Sequence, residues 1–264
     1  MSEQVISPPE YPKGNNLLAG KTVLVTASAG TGIGFASAKR CAEEGATVML
    51  SDIHLARLNQ YADQLAEQIG RKVHRELCDV SSDEQVNTLI DSAINQMGKL
   101  DVLVNNAGLG MTKPLIETST EEWQRLLDIN LTGPFRTLRA ALPPMQQQGS
   151  GVVINLSSIC AWRAEAGQTA YAASKAGVLA LTRCAAMEAA EFGVRINAVV
   201  PSLAIHPYLE KVTSAEFLQQ MIDKNEAFGR AAETWEIANA VVFLASDYSS
   251  YMTGESLSVS CRRA

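Results

Sequence analysis

No block of five or more basic residues occurs anywhere in the 264-residue chain, whose formal charge is −6. A nucleic-acid surface needs clustered Lys and Arg, so that class of partner is excluded. No apolar run approaches the roughly 18 residues that a membrane-spanning helix requires, which excludes a membrane partner of that kind. The five cysteines, Cys41, Cys78, Cys160, Cys184 and Cys261, form no CxxC pair and show no other metal-like spacing, so no metal site is expected. An odd, scattered set reads as reduced thiols of a cytoplasmic protein. The opening residues also lack the charged-then-apolar profile of a signal peptide, which points to the same compartment.

What is present is the material of a large core: 47% of residues are apolar and 19% charged. Residues 1–19, rich in Pro, Gly and Asn, read as a flexible arm, and residues 20–264 as one domain. Strand-like β-branched runs fall at 23–26, 47–51, 72–78, 101–104, 152–155, 195–200 and 257–259. Between them lie helix-length amphipathic stretches at 34–44, 55–69, 81–96, 121–142, 169–192 and 234–245. Gly45 and Gly70 are placed to close two of these helices, and Ser81 with Glu84 has capping-box spacing. Residues from about 202 to 230 interrupt the alternation and read as a lid of short helices. The β-α repetition predicts an α/β fold, a parallel sheet covered on both faces through right-handed crossovers.

The first strand runs into Ala29-Gly30-Thr31-Gly32-Ile33-Gly34 and then a helix. Glycines there let the backbone approach a pyrophosphate whose charge sits at the helix N-terminus. Asp52 ends the second strand, where an acid hydrogen-bonds ribose hydroxyls and repels the 2′-phosphate of NADP. That favours NAD, although His54 and Arg57 are near enough to soften the discrimination and keep NADP open. Asp79, ending the third strand, suits either an adenine amino group or a plain turn. Asn105-Asn106-Ala107-Gly108 follows the fourth strand, at the sheet edge where such folds bind ligands.

Tyr171 and Lys175 are spaced i, i+4 at the start of a helix and project from one face. A tyrosine hydroxyl exchanges a proton with a carbonyl or alcohol, and a neighbouring ammonium brings its pKa down from about 10. Ser158, after the fifth strand, is placed to hydrogen-bond a substrate oxygen as charge develops on it. Asn130 sits in a helical stretch where Asn is unfavourable, which points to a polar task such as positioning water or Lys175.

From about Gly20 to Val259 these elements, in this order and spacing, resemble the short-chain dehydrogenase/reductase family. The resemblance implies a single-domain, doubly wound Rossmann-type fold with a parallel seven-stranded sheet. It implies hydride transfer between NAD(H) and a secondary alcohol or ketone, with Tyr171 as general acid/base. Lys175 would tune Tyr171 and bind ribose, Ser158 orient the substrate and Asn130 complete a proton relay. Thr26, Gly30, Gly32, Ile33 and Gly34 would meet the cofactor, as would Asp52, Asp79 and Val80. Asn106, Ala107, Gly108 and Pro201 complete that set, together with Tyr171 and Lys175. Three departures stand out. Ala27 follows Thr26 where the family has Gly, with one extra residue before Gly32, so Gly30 is expected to supply the missing flexibility. Pro201-Ser202 replaces Pro-Gly, with His206 near the position of a Thr, so backbone groups or His206 would hold the nicotinamide amide. The ending from Val259 to Ala264 is not the glycine-rich one that many members carry.

The expected substrate walls are residues 109–113, 159–168 and the lid. Met111 and Trp162 suit a bulky alicyclic or acyl substrate or the core, and Arg163, Lys211 and Arg230 suit an anionic tail such as coenzyme A phosphates. The turn from Thr26 to Gly34, with residues 201–207 and 251–254, resembles a bacterial branch associated with late steroid-ring degradation, acting on a bicyclic coenzyme A ester. Reduction of 3-oxoacyl thioesters is the alternative, and a non-catalytic NAD sensor a more distant one. Small residues along the helix from Tyr171 predict a homo-oligomer, dimer or tetramer.

Overall fold

Seven short runs of mostly apolar residues form one parallel sheet. They are β1 (Thr22–Val25), β2 (Thr47–Asp52), β3 (His74–Leu77), β4 (Val102–Asn105), β5 (Gly151–Leu156), β6 (Val194–Pro201) and β7 (Ser256–Val259). The computed structural model describes residues 5–163, 165–207, 209 and 214–261. Strand order is β3-β2-β1-β4-β5-β6-β7, with every pairing parallel. Lys211 lies outside the described residues.

Neighbouring residues of β1 show why both faces must be covered. Val23 and Val25 enter one core with Ala38, Leu58 and Val241, whereas Leu24 enters the other with Leu89, Leu138 and Ala186. Alternate side chains point to opposite faces, and here both sets are apolar. The first face carries α1 (Ile33–Glu43), α2 (Leu55–Ile69) and α8 (Thr234–Ala245); the second carries α3 (Asp83–Met97), α5 (Gly133–Gln148) and α6 (Thr169–Ala190). Each fully buried Val or Leu contributes about 1.5–3 kcal/mol relative to exposure.

Several boundaries differ from the sequence expectation. The cap of α3 is Ser82, which accepts from the Gln85 amide, one residue beyond the expected Ser81. The stretch expected as one helix over 121–142 is α4 (Thr120–Leu127), a π-turn (Asp128–Thr132) and then α5. α5 also continues through Pro143 and Pro144. Each proline removes one helix hydrogen bond and crowds the carbonyl four residues earlier, yet the helix runs on to the left-handed Gly149.

The arm is docked rather than loose. Leu18 is in the core, and the Asn15 and Leu17 amides donate to Glu44 Oε2 at 2.7 and 3.1 Å. The Tyr11 hydroxyl donates to Glu43 at 2.7 Å while its ring meets Trp235 edge-on. A buried carboxylate requires donors. Arg40 gives Glu44 one at 2.8 Å, and the arm's backbone gives the others. The segment expected as a lid holds α7 (Ala215–Asn225), tied back by a parallel bridge between Ala204 and Ala232.

Candidate active site

Strand order reverses between β1 and β4, and their carboxyl ends open the crevice in which such sheets bind ligands. Thr26, almost wholly buried, joins the two strand ends: its Oγ1 accepts from the Asn106 and Ala107 amides at 3.0 and 3.1 Å. Asn106 Nδ2 returns bonds to the carbonyls of Thr26 and Ala27 at 3.1 and 3.0 Å. The Asn106 side chain therefore braces the turn. Gly34 is obligatory there, because a Cβ would lie 2.3 Å from Asn106 Nδ2 and 2.6 Å from Ala27 O.

The turn's left-handed residue is Ala27, with φ of 48°, and not Gly30, whose φ lies outside that region and whose Cβ would meet nothing within 4 Å. The flexibility expected of Gly30 is thus not used; the extra residue lets Ala27 take the conformation that glycine ordinarily takes. Gly32 caps α1 with no side-chain acceptor, which leaves first-turn N–H groups facing the crevice as an anion site. A cavity of about 270 Å³ there is lined by Gly32, Ile33, Gly34, Asn106, Lys175 and His206 among others. An uncapped helix start, a turn with no room for side chains and a lysine beside them fit a dinucleotide. The ring of His206 stands 3.9 Å from where a Gly32 Cβ would be, beside the turn.

Asp52 is 3% exposed and accepts from the Ala29 amide at 3.3 Å, the His54 amide at 3.0 Å and Arg57 Nη2 at 2.7 Å. Asp79 accepts from Ser81 through both its amide and hydroxyl, at 2.9 and 2.7 Å, which is the turn role. Val80 is buried against Gly133.

Around Tyr171 the packing is tight. Tyr171 and Ser158 line the same cleft, and Ser158 Oγ accepts from the Cys160 amide at 3.2 Å. Lys175, 5% exposed, donates to the Leu156 carbonyl at 2.8 Å and lies 5.8 Å from the Tyr171 ring centroid. Gly108 makes room for it, since a Cβ there would come within 3.3 Å of Lys175 Nζ. Burial pushes Tyr171 up to about 12, against the lowering effect of the neighbouring Ser158 hydroxyl. Burial also brings Lys175 down to about 8. The expectation that the ammonium would lower Tyr171 is not met by the protein's own groups: desolvation of the phenolate dominates.

Asn130, fully buried in the π-turn, bonds to Leu109 at both N and O (2.7 and 2.9 Å) and to Ser174 Oγ at 3.1 Å. Ser174 in turn donates to the Tyr171 carbonyl at 2.7 Å, so this asparagine ties the 109 loop to the first turn of α6.

A second cavity, about 910 Å³, adjoins the first and shares Ile33, Gly108, Ser157, Tyr171 and Pro201 with it, among others. All three expected walls contribute: Met111 and Thr112, Ile159 and Gln168, and Leu209, Phe217 and Met221 of the lid segment. Trp162 does not line it and is 50% exposed. Arg230 is held by Glu236 through two bonds of 2.7 and 2.8 Å and by the Ile6 carbonyl, so it is not available to an anionic tail. Glu226, lining the cleft at 2% exposure, was not singled out from sequence, where it reads as a solvated helix end. Among the described residues no cluster of metal-ligating side chains is present, and no helix is long and apolar enough to cross a membrane.

The family profile described as Enoyl-(Acyl carrier protein) reductase matches residues 27–261. The (5R,7aS)-5-hydroxy-7a-methyl-1-oxo-2,3,5,6,7,7a-hexahydro-1H-indene-carboxyl-CoA reductase of Mycobacterium tuberculosis is 54% identical, over 96% of this chain and 97% of its own. A short chain dehydrogenase from Mycobacterium smegmatis superposes with a TM-score of 0.87 at 50% identity, covering 98% and 99% of the two chains. A 7α-hydroxysteroid dehydrogenase complexed with NADH and 7-oxo glycochenodeoxycholic acid does so with a TM-score of 0.87 at 33% identity, covering 93% and 95%. The crevice, the tyrosine between two cavities and these likenesses make the chain an oxidoreductase of alcohols and ketones that uses a nicotinamide dinucleotide, and it belongs to the short-chain dehydrogenase/reductase family.

Proposed function

We propose that the enzyme reduces a ring ketone of a bulky alicyclic coenzyme A ester, using NADH, and reoxidises the alcohol in reverse. The observation that carries this reading is Tyr171, which lines both cavities and shares the larger one with Ser158. When bound, the nicotinamide supplies or takes up the hydride. Tyr171, protonated at neutral pH, gives its proton to the carbonyl oxygen as the alcohol forms. Ser158 donates a hydrogen bond to that oxygen as it gains charge. Lys175 holds ribose and supplies positive charge beside Tyr171, and Asn130 keeps the 109 loop and α6 in place.

A cleft of about 910 Å³ suits a bicyclic ring system with part of its ester arm, and the likeness to the indene-carboxyl-CoA reductase favours that class over short 3-oxoacyl thioesters. Asp52, buried where ribose hydroxyls would lie, favours NAD(H) over NADP(H). The protein works in the cytoplasm as a homo-oligomer, for which the exposed Ala173, Ala176 and Ala180 on α6 provide a close-packing face. The test is oxidation of NADH and NADPH against a panel of a decalone, a bicyclic ketone carrying a coenzyme A ester, and acetoacetyl-CoA. The reading expects NADH-linked turnover highest on the bicyclic ester; preference for acetoacetyl-CoA or for NADPH would overturn the corresponding half of it.

A further inference from the structure

Two places where this chain departs from its family's pattern meet at one buried carboxylate. Ser202 stands where Gly ordinarily follows the proline of β6, and Cys261 belongs to the unusual C-terminal ending. Glu226 Oε2 accepts from Ser202 Oγ at 3.2 Å and from the Cys261 thiol at 3.2 Å, and Oε1 accepts from the Leu203 amide at 3.4 Å. Backbone bonds surround this point: Ala227 N to Cys261 O at 2.9 Å, Ser202 N to Val259 O at 3.0 Å and Ala232 N to Leu203 O at 2.9 Å.

Among the described residues no Lys, Arg or His lies within ion-pair distance of Glu226, which is 2% exposed. Its donors among the described residues are all neutral, and a buried carboxyl group requires such donors. Ser202 and Leu203 follow β6, Glu226 comes immediately after α7, and Cys261 belongs to the stretch beyond β7. The carboxylate joins all three while lining the cleft itself.

We propose that Glu226 is a positioning residue that ties the C-terminal end of α7 to Ser202 and Leu203 after β6 and to Cys261 after β7, and so holds α7 over the substrate cleft. Ser202 and Cys261 are the side-chain donors of this clamp. The inference rests on the reading that the larger cavity takes the ketone. It predicts a defect in substrate capture, without one in chemistry or cofactor binding.

The test compares wild type, Glu226→Gln, Ser202→Gly and the double variant. Readouts are decalone and acetoacetyl-CoA reduction by NADH, NADH affinity by fluorescence titration, and amide hydrogen exchange over residues 215–225. Replacing one carboxylate oxygen by an amide puts a donor against a donor. Glu226→Gln is therefore expected to raise KM about tenfold with kcat within about twofold, to leave NADH affinity unchanged and to speed exchange in α7. Ser202→Gly should act in the same direction and more weakly, and the double variant should be no worse than Glu226→Gln alone. Unchanged KM and unchanged exchange in a folded Glu226→Gln protein would overturn the clamp. So would equal losses in KM, kcat and NADH affinity, which mark general unfolding. If Glu226→Gln does not fold, Ser202→Gly decides by the same readouts. If the wild type reduces neither ketone, the substrate reading falls, while exchange in α7 still decides the clamp.

Discussion

Lys175 holds its ammonium at 5% exposure with the Leu156 carbonyl as its hydrogen-bond acceptor, and burial lowers its pKa from 10.5 to about 8. Between those two values the unfolded chain binds a proton that the folded chain has shed, so the lysine's contribution to stability rises with pH across that window. Comparing wild type with Lys175→Met by urea denaturation isolates the effect, because Tyr171 titrates in both proteins. The stability difference should move in favour of wild type by up to about 3 kcal/mol from pH 8 to 10.5; a flat difference would show an ordinary, solvated lysine. The tyrosine-lysine pair was legible from its helical spacing, since i, i+4 fixes a shared face whatever surrounds it. Its electrostatics were not, because burial belongs to the whole packing around α6. Spacing likewise could not show that Asn130 would bond to Leu109 and Ser174.

At the scale of elements, the phosphate-binding turn is the most informative. Ala27 occupies the left-handed region at φ 48°, a conformation that costs a non-glycine residue about 1–2 kcal/mol. Ala27→Gly should relieve most of this, less the added entropy of glycine in the unfolded chain, for a net gain of about 0.5–1 kcal/mol. Scanning calorimetry should show Tm higher by about 1–3 °C; an unchanged or lower Tm would show that the turn carries no such strain. The sheet, the helix order and the glycine turn were readable because period-2 and period-3.6 patterns are local. The strain at Ala27 was not, because an extra residue in a loop can be absorbed at any of several positions. The π-turn at Asn130 escaped for a similar reason: its break is set by Leu109 and Ser174, which are distant in sequence. The arm's docking depends on Glu44, a carboxylate whose burial only the fold reveals.

Across the whole molecule, two cavities meet at Tyr171 and one helix, α6, serves both the site and the outer surface. Its inner face buries Ser174, Lys175 and Val178, while Ala173, Ala176, Ala180 and Met187 are exposed. The proposed homo-oligomer, closed through that face, would be sensitive to bulk and charge. Ala180→Arg should reduce the mass seen by light scattering at fixed concentration, and an unaltered mass would place the interface elsewhere. Substrate identity was the least legible property in the sequence, because Trp162 and Arg230 have suitable chemistry but the fold turns one outward and ties the other to Glu236.

The central claim is that Tyr171 passes the proton where the cavities meet, and the most direct test is NADH-linked reduction of the bicyclic coenzyme A ester by wild type and Tyr171→Phe, with NADH affinity measured in parallel. The account predicts a rate lower by about a hundred- to ten-thousand-fold in the variant, with NADH affinity within about twofold. A variant that retains ketone reduction within about tenfold of wild type would contradict it and assign the proton transfer to another group.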